Sequence, residues 1–470
     1  MPPRKKVEHS TNKAPDDIES ACNSVVLVTS MTERLKGLSL LSPYCCIYKV
    51  PERLRSVNKK AYTPQVVSVG PLHYDNKDLL YMEEHKQRYL QQFLHRTGVS
   101  LEDYVKKIKA QEERLRGCYE GKASEFKSDV FVSIILVDAA FIIELLLRNF
   151  FEHLRDDSDW IFKKTWMLQN IAPDMILLEN QLPFFILEDL FADVKSKWQK
   201  DELPSITELS YKFFQETVRL QGEKDNLESV SEVKHFVDLI RTLHLPSLKS
   251  TQAGGPTSSC TPKVKHFCDR RRRFLPSQKS QTEKPLPSTL NTPSAKKLHQ
   301  AGVKFEISSS KNLFDIQFDN QGILQIPQVE INDYTELTLR NLLAFEQCHC
   351  TENHISDYFC ILDGFVNTPM DVDFLVEYGI IVNALGDNNK VSRLINKLCI
   401  GVSWNHKNYY FADLSKELNY YCRKPWNKWK ASLKQKYFNT PWAIISVIGA
   451  GFVIVLAIIQ TVCSIISSIH

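Results

Sequence analysis

Four acidic residues lie inside apolar stretches of the sequence, and carboxylates in such surroundings are the first candidates for chemistry. Asp138 and Glu144 occupy the apolar run from Phe131 to Phe151, whereas Asp174 and Glu179 occupy a run that ends at Phe191. A carboxylate buried among apolar side chains needs a hydrogen-bond donor or a cation beside it, because burial alone raises its pKa. Two roles are therefore open for these four residues.

One role is catalytic and the other is structural. If the four carboxylates faced one open, metal-sized pocket, they could hold Mg²⁺ and a diphosphate substrate, as those of terpene cyclases do. The aspartate-rich cluster of that enzyme class is absent from the sequence. If each carboxylate instead binds backbone N–H groups or arginine side chains, the four residues fix the packing of helices. We favour the structural role.

Other motifs that carry chemistry are missing or incomplete. The sequence contains no phosphate-binding glycine loop, no G-x-S-x-G elbow and no H-E-x-x-H pair. Cys348-His349-Cys350 and His354 offer zinc-binding atoms, but they are crowded and lack the second half of a four-ligand site. We therefore expect no metal site and no cofactor, and the sequence favours a protein that is not an enzyme.

Composition limits the class of protein further. Hydrophobic residues make up 43% of the 470 positions, enough for a sizeable core, and a formal charge of +4 gives no reason to expect nucleic-acid binding. Residues 1–14 contain no apolar segment typical of a secretory signal. The twelve cysteines are scattered, so we expect reduced cytosolic thiols, with the adjacent Cys45 and Cys46 packed as small apolar residues.

The C-terminal segment predicts a transmembrane helix over residues 440–469. No charged residue occurs in this range, and its central 24 residues would span roughly 36 Å as a helix, more than the ~30 Å hydrocarbon core of a bilayer. Trp442 stands at one edge, where an amphipathic ring prefers the membrane interface. The residues that we assign to the anchor are Trp442, Ala443, Gly449, Gly451, Gln460 and Ile466.

Basic residues precede this segment, whereas only His470 follows it. The basic residues are Arg423, Lys424, Lys428, Lys430, Lys434 and Lys436. Because positively charged flanks stay on the cytoplasmic side, the asymmetry predicts a cytoplasmic N-terminal domain and a single-pass tail anchor. The plasma membrane or the endoplasmic reticulum is the expected location.

The remaining elements that position the acidic residues are mostly helical. Helical spacing covers residues 79–118, and an apolar helix from Phe131 to Phe151 is expected to be buried, because it carries internal charges. Further helical patterns occupy Asp174 to Phe191, interrupted by Pro183, then Ile206 to His244, Thr335 to Cys348 and Met370 to Leu385.

Short alternating pieces suggest a small antiparallel β element between the helices. They are Val303–Ile307, Phe314–Phe318, Ile323–Ile326 and Gln328–Ile331, with a turn at residues 319–322. The predicted fold class is therefore mainly α (α+β), a large helical domain with a small antiparallel β element and one C-terminal transmembrane helix. The β element and the helices of residues 298–435 are expected to complete the domain that residues 41–244 begin.

Two polar segments flank the parts of this domain. Residues 1–40 read as a partly disordered leader. Residues 245–297 hold seven prolines and eleven Lys or Arg against two acids, a net charge of +9 that leaves −5 for the rest of the chain (4 − 9). We interpret this insert as a solvated, disordered linker. If its basic patch, Arg270, Arg271, Arg272 and Arg273, binds anything, anionic lipid headgroups near the anchor are the simplest target.

Several blocks of the sequence resemble one known family. The blocks lie, in the family's order, at 47–51, 61–73, 82–90, 137–144, 174–183, 301–305, 326–327, 335–348 and 441–443, and Asp174-Met175-Ile176-Leu177-Leu178-Glu179-Asn180-Gln181-Leu182-Pro183 is the most specific. Across residues 40–465 the chain resembles the plant domain of unknown function 247 family, also called UPF0481. The basic character of the 245–297 insert departs from the family pattern.

The resemblance implies a plant protein with a single C-terminal transmembrane helix and no established catalytic residues. Some members are similar to self-incompatibility determinants of grasses, and others are linked to development and to stress or defence responses. We therefore expect a recognition or signalling protein that binds a protein partner whose identity the sequence does not give.

Overall fold

Helices make up most of this computed structural model, which describes residues 26–32, 42–156, 159–198, 203–219, 232–245, 292–403, 408–425 and 441–469. The helices before residue 246 are α1 (26–32), α2 (Glu52–Arg55), α3 (Tyr81–Thr97), α4 (Leu101–Lys109), α5 (Glu112–Gly117), α6 (Ser128–Phe150), α7 (Trp160–Lys163), α8 (Thr165–Asp174), α9 (Phe184–Lys197), α10 (Ile206–Thr217) and α11 (Phe236–His244). Short 3₁₀ turns occupy Lys59–Tyr62, Lys77–Leu79, Lys122–Glu125 and Glu152–Leu154.

The elements after residue 291 combine helices with five short strands. The helices are α12 (Ala295–Gln300), α13 (Thr335–His349), α14 (His354–Phe365), α15 (Pro369–Glu377), α16 (Asn388–Leu398), α17 (Ala412–Arg423) and α18 (Pro441–Ile469). The strands are β1 (Lys304–Ile307), β2 (Gln317–Phe318), β3 (Ile323–Ile326), β4 (Val329–Ile331) and β5 (Ile381–Asn383). This confirms the predicted class, mainly α with a small β element and a C-terminal apolar helix.

Helix α6 is the centre of the core. Every residue from Ile134 to Arg148 is buried, and α3, α4, α9 and α10 pack around the helix. An apolar helix that is covered on all faces belongs to a protein interior. The prediction that Phe131 to Phe151 forms a buried helix is therefore confirmed.

One hydrophobic core joins the chain regions on either side of residues 246–291. Its buried members run from Cys46 to Leu243 and again from Ala295 to Leu418, and α11 packs against α13. Residues 246–291 of the insert, including its patch Arg270–Arg273, lie outside the described residues, and so does the predicted leader 1–40 apart from α1. The end of the insert belongs to the domain, because Thr292, Ser294 and Ala295 are buried and α12 begins there.

Two predicted helices have other bounds in the structure than their apolar patterns suggest. In the stretch from Asp174 to Phe191, Asp174 is the last residue of α8, and the chain is helical again only from Phe184. The helix predicted to reach Leu385 ends at Glu377, where Gly379 adopts a φ of +70° and terminates it. Residues 381–383 then form β5, which pairs in parallel with β4.

The three-stranded sheet has the order β1-β3-β2. Strands β2 and β3 form the antiparallel pair that the turn at residues 319–322 predicts. Strand β1 joins the other edge of β3 in parallel, with Phe305 opposite Leu324. The longer connection of residues 308–316 allows β3 to lie between β1 and β2, an arrangement that local alternation does not reveal.

Candidate functional site

The Asp174 carboxylate binds the backbone of an extended segment to the end of α8. Its Oδ1 accepts a hydrogen bond from the backbone N–H of Gln65 at 2.9 Å, and its Oδ2 accepts from Val66 at 2.6 Å and from Val67 at 2.9 Å. Burial raises the pKa of Asp174 to about 6, although the three N–H donors act in the opposite direction. The carboxylate therefore accepts the three hydrogen bonds that backbone carbonyl groups would accept from these amides in a helix or a sheet.

The side chains of Asn180 and Gln181 hold the non-helical stretch after α8. Asn180 Oδ1 accepts from the Val69 N–H at 2.7 Å, and its Nδ2 donates to the Asp174 carbonyl at 3.0 Å. Gln181 Oε1 accepts from the Phe236 N–H at 3.0 Å, which links this stretch to α11. The sequence reasoning missed both residues. Amide side chains inside an apolar block were the available signal, since such groups must find partners when buried.

Glu179 connects the first segment of the domain to the non-helical stretch after α8. It accepts the Val50 N–H at 2.6 Å, pairs with the Arg55 guanidinium and lies 3.3 Å from His73 Nε2. Burial opposes ionisation of Glu179, but the His73 and Arg55 side chains beside it outweigh burial and lower the pKa of the carboxyl. Glu179 is therefore an anion surrounded by donors from the protein itself.

Asp138 forms a buried ion pair with Lys86 at the interface of α3 and α6. Lys86 is 1% exposed, and its Nζ lies 2.6 Å from Asp138 Oδ1 and donates to the Ser68 carbonyl at 2.9 Å. Burial disfavours the ammonium, but Asp138 and Glu83 outweigh it and raise the pKa of Lys86. The second carboxylate oxygen accepts the Gly70 N–H at 2.8 Å.

Glu144 belongs to a chain of charges that links α3, α6 and α7. It accepts from Arg96 Nε at 2.6 Å and Nη2 at 3.0 Å, and Arg148 Nε lies 3.3 Å away. Arg148 also forms an ion pair with Asp159 at 2.6 Å. The Asp159 carboxylate caps the N-terminus of α7 and accepts a hydrogen bond from the Tyr89 hydroxyl. Each charge in this chain has a partner of opposite sign.

The four acidic residues are thus each occupied by backbone donors or cations, which supports the structural role. A groove of about 410 Å³ between α12 and α15 is lined by other residues, including His299, Met370, Phe374, Glu377 and Tyr378. Within the part of the chain that the structure describes, no group of three His, Cys, Asp or Glu side chains could hold a metal ion.

The candidate zinc ligands of the sequence take part in packing. His349 hydrogen-bonds the Tyr48 hydroxyl at 3.0 Å and stacks on Phe345. Burial raises the pKa of Cys348 and of Cys350 to about 11, so both thiols are held in the protonated form, which binds metal poorly.

Gly70 must remain without a side chain beside Asp138. Its φ is +73°, and a Cβ atom there would lie 2.6 Å from the Gln181 carbonyl oxygen. We expect Gly70→Ala to lower the free energy of unfolding by about 3 kcal/mol, measured by urea unfolding of the full chain in detergent micelles. Gly98→Ala is the matched control, because its φ is +64° but nothing lies within 4 Å, and about 1 kcal/mol is expected there. Equal losses for the two variants would refute the steric explanation.

Asp357 gives the fold a specific pH dependence. It accepts the Tyr410 N–H at 2.8 Å, and burial raises its pKa from 3.8 to about 7. Between these values the folded state keeps a proton that the unfolded state releases, so stability falls as pH rises. We expect Asp357→Asn to gain about 2 kcal/mol relative to the parent between pH 5 and pH 8, measured by urea unfolding.

A control for this pH dependence is Asp387→Asn. Asp387 is a partly exposed N-cap whose pKa is lowered by the N–H of Asn389, so its substitution should give no gain in stability at high pH. A parallel pH profile for Asp357→Asn and the parent chain would contradict the assignment to Asp357.

Helix α18 contains all of the residues assigned to the anchor, namely Trp442, Ala443, Gly449, Gly451, Gln460 and Ile466. Its window Ile448–Ile465 is long and apolar enough to cross a membrane, and none of that window is buried inside the protein. By the same test α6 also qualifies, but 89% of its window is buried, as expected for a core helix. Helix α18 is therefore the candidate membrane span outside the core.

Comparisons with known proteins agree with the blocks in the sequence. The model of the family DUF247, described as "Plant protein of unknown function", matches residues 47–456. A UPF0481 protein of Arabidopsis thaliana is 30% identical over 434 residues, 91% of this chain and 87% of the relative. A putative UPF0481 protein of the same plant is 23% identical over 491 residues, 90% of each chain. No solved structure matches. The match confirms the resemblance seen in the sequence, and the chain belongs to the DUF247 family of plant proteins of unknown function.

Proposed function

We propose that this chain is a membrane-anchored plant protein of recognition or signalling type, acting without catalysis in self-incompatibility, development or defence. Helix α18 holds it at the membrane, and the helical domain binds a protein partner on the cytoplasmic side. The observation that carries the proposal is the contrast between two apolar helices, since α6 is covered by the domain and α18 is not.

An apolar helix without a protein cover needs another apolar environment. Leaving one large aliphatic side chain in water costs about 1.5–3 kcal/mol relative to burial, and the window Ile448–Ile465 contains many of them. The 29 residues of α18 reach about 43 Å, more than the ~30 Å hydrocarbon core, so the helix can cross a bilayer with some tilt.

Charge supports the cytoplasmic orientation and a contact with anionic lipid. Arg423 and Lys424 are exposed at the end of α17, and Lys424 Nζ lies 4.5 Å from the ring centroid of Tyr420. Basic and aromatic side chains suit the interface between headgroups and water. The plasma membrane and the endoplasmic reticulum both offer such a cytoplasmic face.

The four acidic residues are occupied by partners within the domain, and this supports partner binding, not catalysis, as the function. Asp138, Glu144, Asp174 and Glu179 connect segments far apart in sequence, so their interactions make the domain a rigid scaffold. A rigid scaffold presents a fixed surface to a partner at low entropic cost. Nothing in these contacts favours the Mg²⁺ and diphosphate alternative.

Proximity labelling in plant cells tests this function. Three fusions to a labelling enzyme are compared: the full chain, a chain with residues 441–470 replaced by an unrelated tail-anchor helix, and residues 424–470 alone. We expect the first two to label shared neighbours that the third does not label, because the domain selects the partner. If residues 424–470 alone label the same neighbours as the full chain, the domain is not the recognising part.

A further inference from the structure

The surface groove between α12 and α15 lies directly beside the end of the insert. Its volume of about 410 Å³ is typical of pockets that hold ligands. The half-buried rings of His299, Phe374 and Tyr378 line it, and the ring centroid of Phe374 lies 4.8 Å from that of His299 and 4.5 Å from that of Tyr378. The groove therefore offers aromatic faces to a side chain that enters it.

Two carboxylates on α15 give the groove negative charge. Asp373 and Glu377 both line it and are both exposed, and their spacing of four residues places them on one side of the helix, where they repel each other. Asp373 accepts a hydrogen bond from the neutral amide of Asn388, and neither carboxylate forms an ion pair within the described part of the chain. A cation bound between them would relieve the repulsion.

The lysine that also lines the groove is directed at the start of α15. Lys296 Nζ lies 3.2 Å from Met370 Sδ, whereas Asp373 and Glu377 follow Met370 by about one and two helical turns. Lys296 therefore leaves the carboxylate end of the groove to another cation. A guanidinium group suits this end best, because it can stack on an aromatic ring and bind carboxylates through its N–H groups at the same time.

The insert carries four consecutive arginines within reach of this groove. It joins the domain at the buried Thr292, and the Lys296 N–H donates to Asp371 Oδ1 at 3.0 Å, so the insert ends against α15. From Arg273 to Thr292 there are 19 residues (292 − 273), which span up to about 63 Å when extended at ~3.3 Å each. The connection on the other side of the cluster, back to residue 245, has 25 residues (270 − 245) and reaches farther still.

We infer that the groove between α12 and α15 is the docking site for the Arg270–Arg273 cluster of this chain's own insert. There a guanidinium group lies over the aromatic rings and pairs with the two carboxylates. Because the cluster is tethered to α12, its effective concentration at the groove exceeds that of a separate peptide. The sequence suggests anionic lipid as the simplest target of this patch, and docking in the groove withholds the patch from lipid. The inference depends neither on the anchor α18 nor on the protein partner.

Photo-crosslinking from the insert tests this contact in the full chain, held in lipid nanodiscs. A benzophenone amino acid replaces Phe274, the residue after the cluster, and the products of irradiation are identified by mass spectrometry. Nanodiscs of phosphatidylcholine alone are compared with nanodiscs that also contain phosphatidylserine. With both lipid compositions we expect the main product to join position 274 to a peptide of α12 or α15.

Charge reversal in the groove provides the matched comparison. Asp373→Lys with Glu377→Lys should lower the yield of this product roughly tenfold, because like charges then face the arginines. Asp413→Lys with Glu417→Lys reverses two exposed carboxylates at the same spacing on α17 and should leave the yield unchanged. Replacing all four arginines of the cluster by glutamate in the chain with the reversed groove should restore the product.

Three outcomes would overturn the inference. They are crosslinks to lipid or to another surface in place of the groove, a parent chain that gives no crosslinked peptide, and an equal loss of product in the α17 control. Because the first two are observed with the parent groove, they decide the question even if a charge-reversed variant does not fold.

Discussion

Replacing Asp138 by alanine should lower the free energy of unfolding by about 3 kcal/mol, because the buried Lys86 ammonium then loses its buried partner and keeps only the more exposed Glu83 carboxylate. Lys86 Nζ lies 2.6 Å from Asp138, and only 1% of the Lys86 side chain is exposed. The substitution also removes the acceptor of the Gly70 N–H, which adds the cost of an unsatisfied buried donor. Urea unfolding of the full chain in detergent micelles measures the loss.

Two further variants separate this ion pair from a general effect of lost charge. Asp129→Ala breaks the pair between Asp129 and Lys109. These side chains are 87% and 47% exposed, so the free energy of unfolding should stay nearly unchanged. The double substitution Lys86→Met and Asp138→Leu should recover part of the stability that Asp138→Ala loses, because the buried ammonium is removed and the remaining Glu83 carboxylate, 28% exposed, can be solvated. A loss below 1 kcal/mol in Asp138→Ala, or no recovery in the double variant, would contradict the buried pair.

Two arginines in the middle of α18 should abolish stable integration into membranes. Val455 and Leu456 lie near the midpoint of Pro441–Ile469, and each arginine at a helix centre costs about 2.5–3.5 kcal/mol of insertion free energy. We therefore expect Val455→Arg with Leu456→Arg to move the protein from the carbonate-resistant membrane fraction to the supernatant. Fractionation of plant microsomes measures the change.

The matched control exchanges the same two side chains for each other. Val455→Leu with Leu456→Val keeps the helix apolar and should leave the protein in the membrane fraction. Because the central window of α18 is not buried in the domain, the thermal unfolding of the domain should be the same in both double variants. An arginine variant that remains carbonate-resistant, or one whose domain unfolds, would show that α18 has a different role.

Long apolar runs allowed the sequence to predict the parts of the fold that depend on composition alone. Helix α6 and helix α18 were both predicted, and internal charges such as Glu144 and Arg148 identified α6 as the buried one. Family blocks such as Asp174 to Pro183 were recognisable as well. These features are local, so one chain carries enough information to identify them.

The features of the fold that the sequence could not predict depend on contacts between residues far apart in the chain. Strand β5 pairs with β4 about fifty residues earlier, and an apolar pattern cannot distinguish such a strand from the end of a helix. The non-helical stretch after α8 depends on two hydrogen bonds, one from the Val69 N–H to Asn180 Oδ1 and one from the Leu178 N–H to Asn341 Oδ1. Residue types marked the four acidic residues for attention, but only the fold showed that Lys86 and backbone amides are among their partners.

The most direct test of the central claim is an N-glycosylation acceptor added after His470 of the full chain, assayed in microsomes. We expect the tag to be glycosylated, the protein to resist carbonate extraction, and added protease to digest the helical domain from outside the vesicles. An unmodified tag on a carbonate-extracted protein would show that α18 does not span the membrane. An unmodified tag with a protease-protected domain would reverse the orientation.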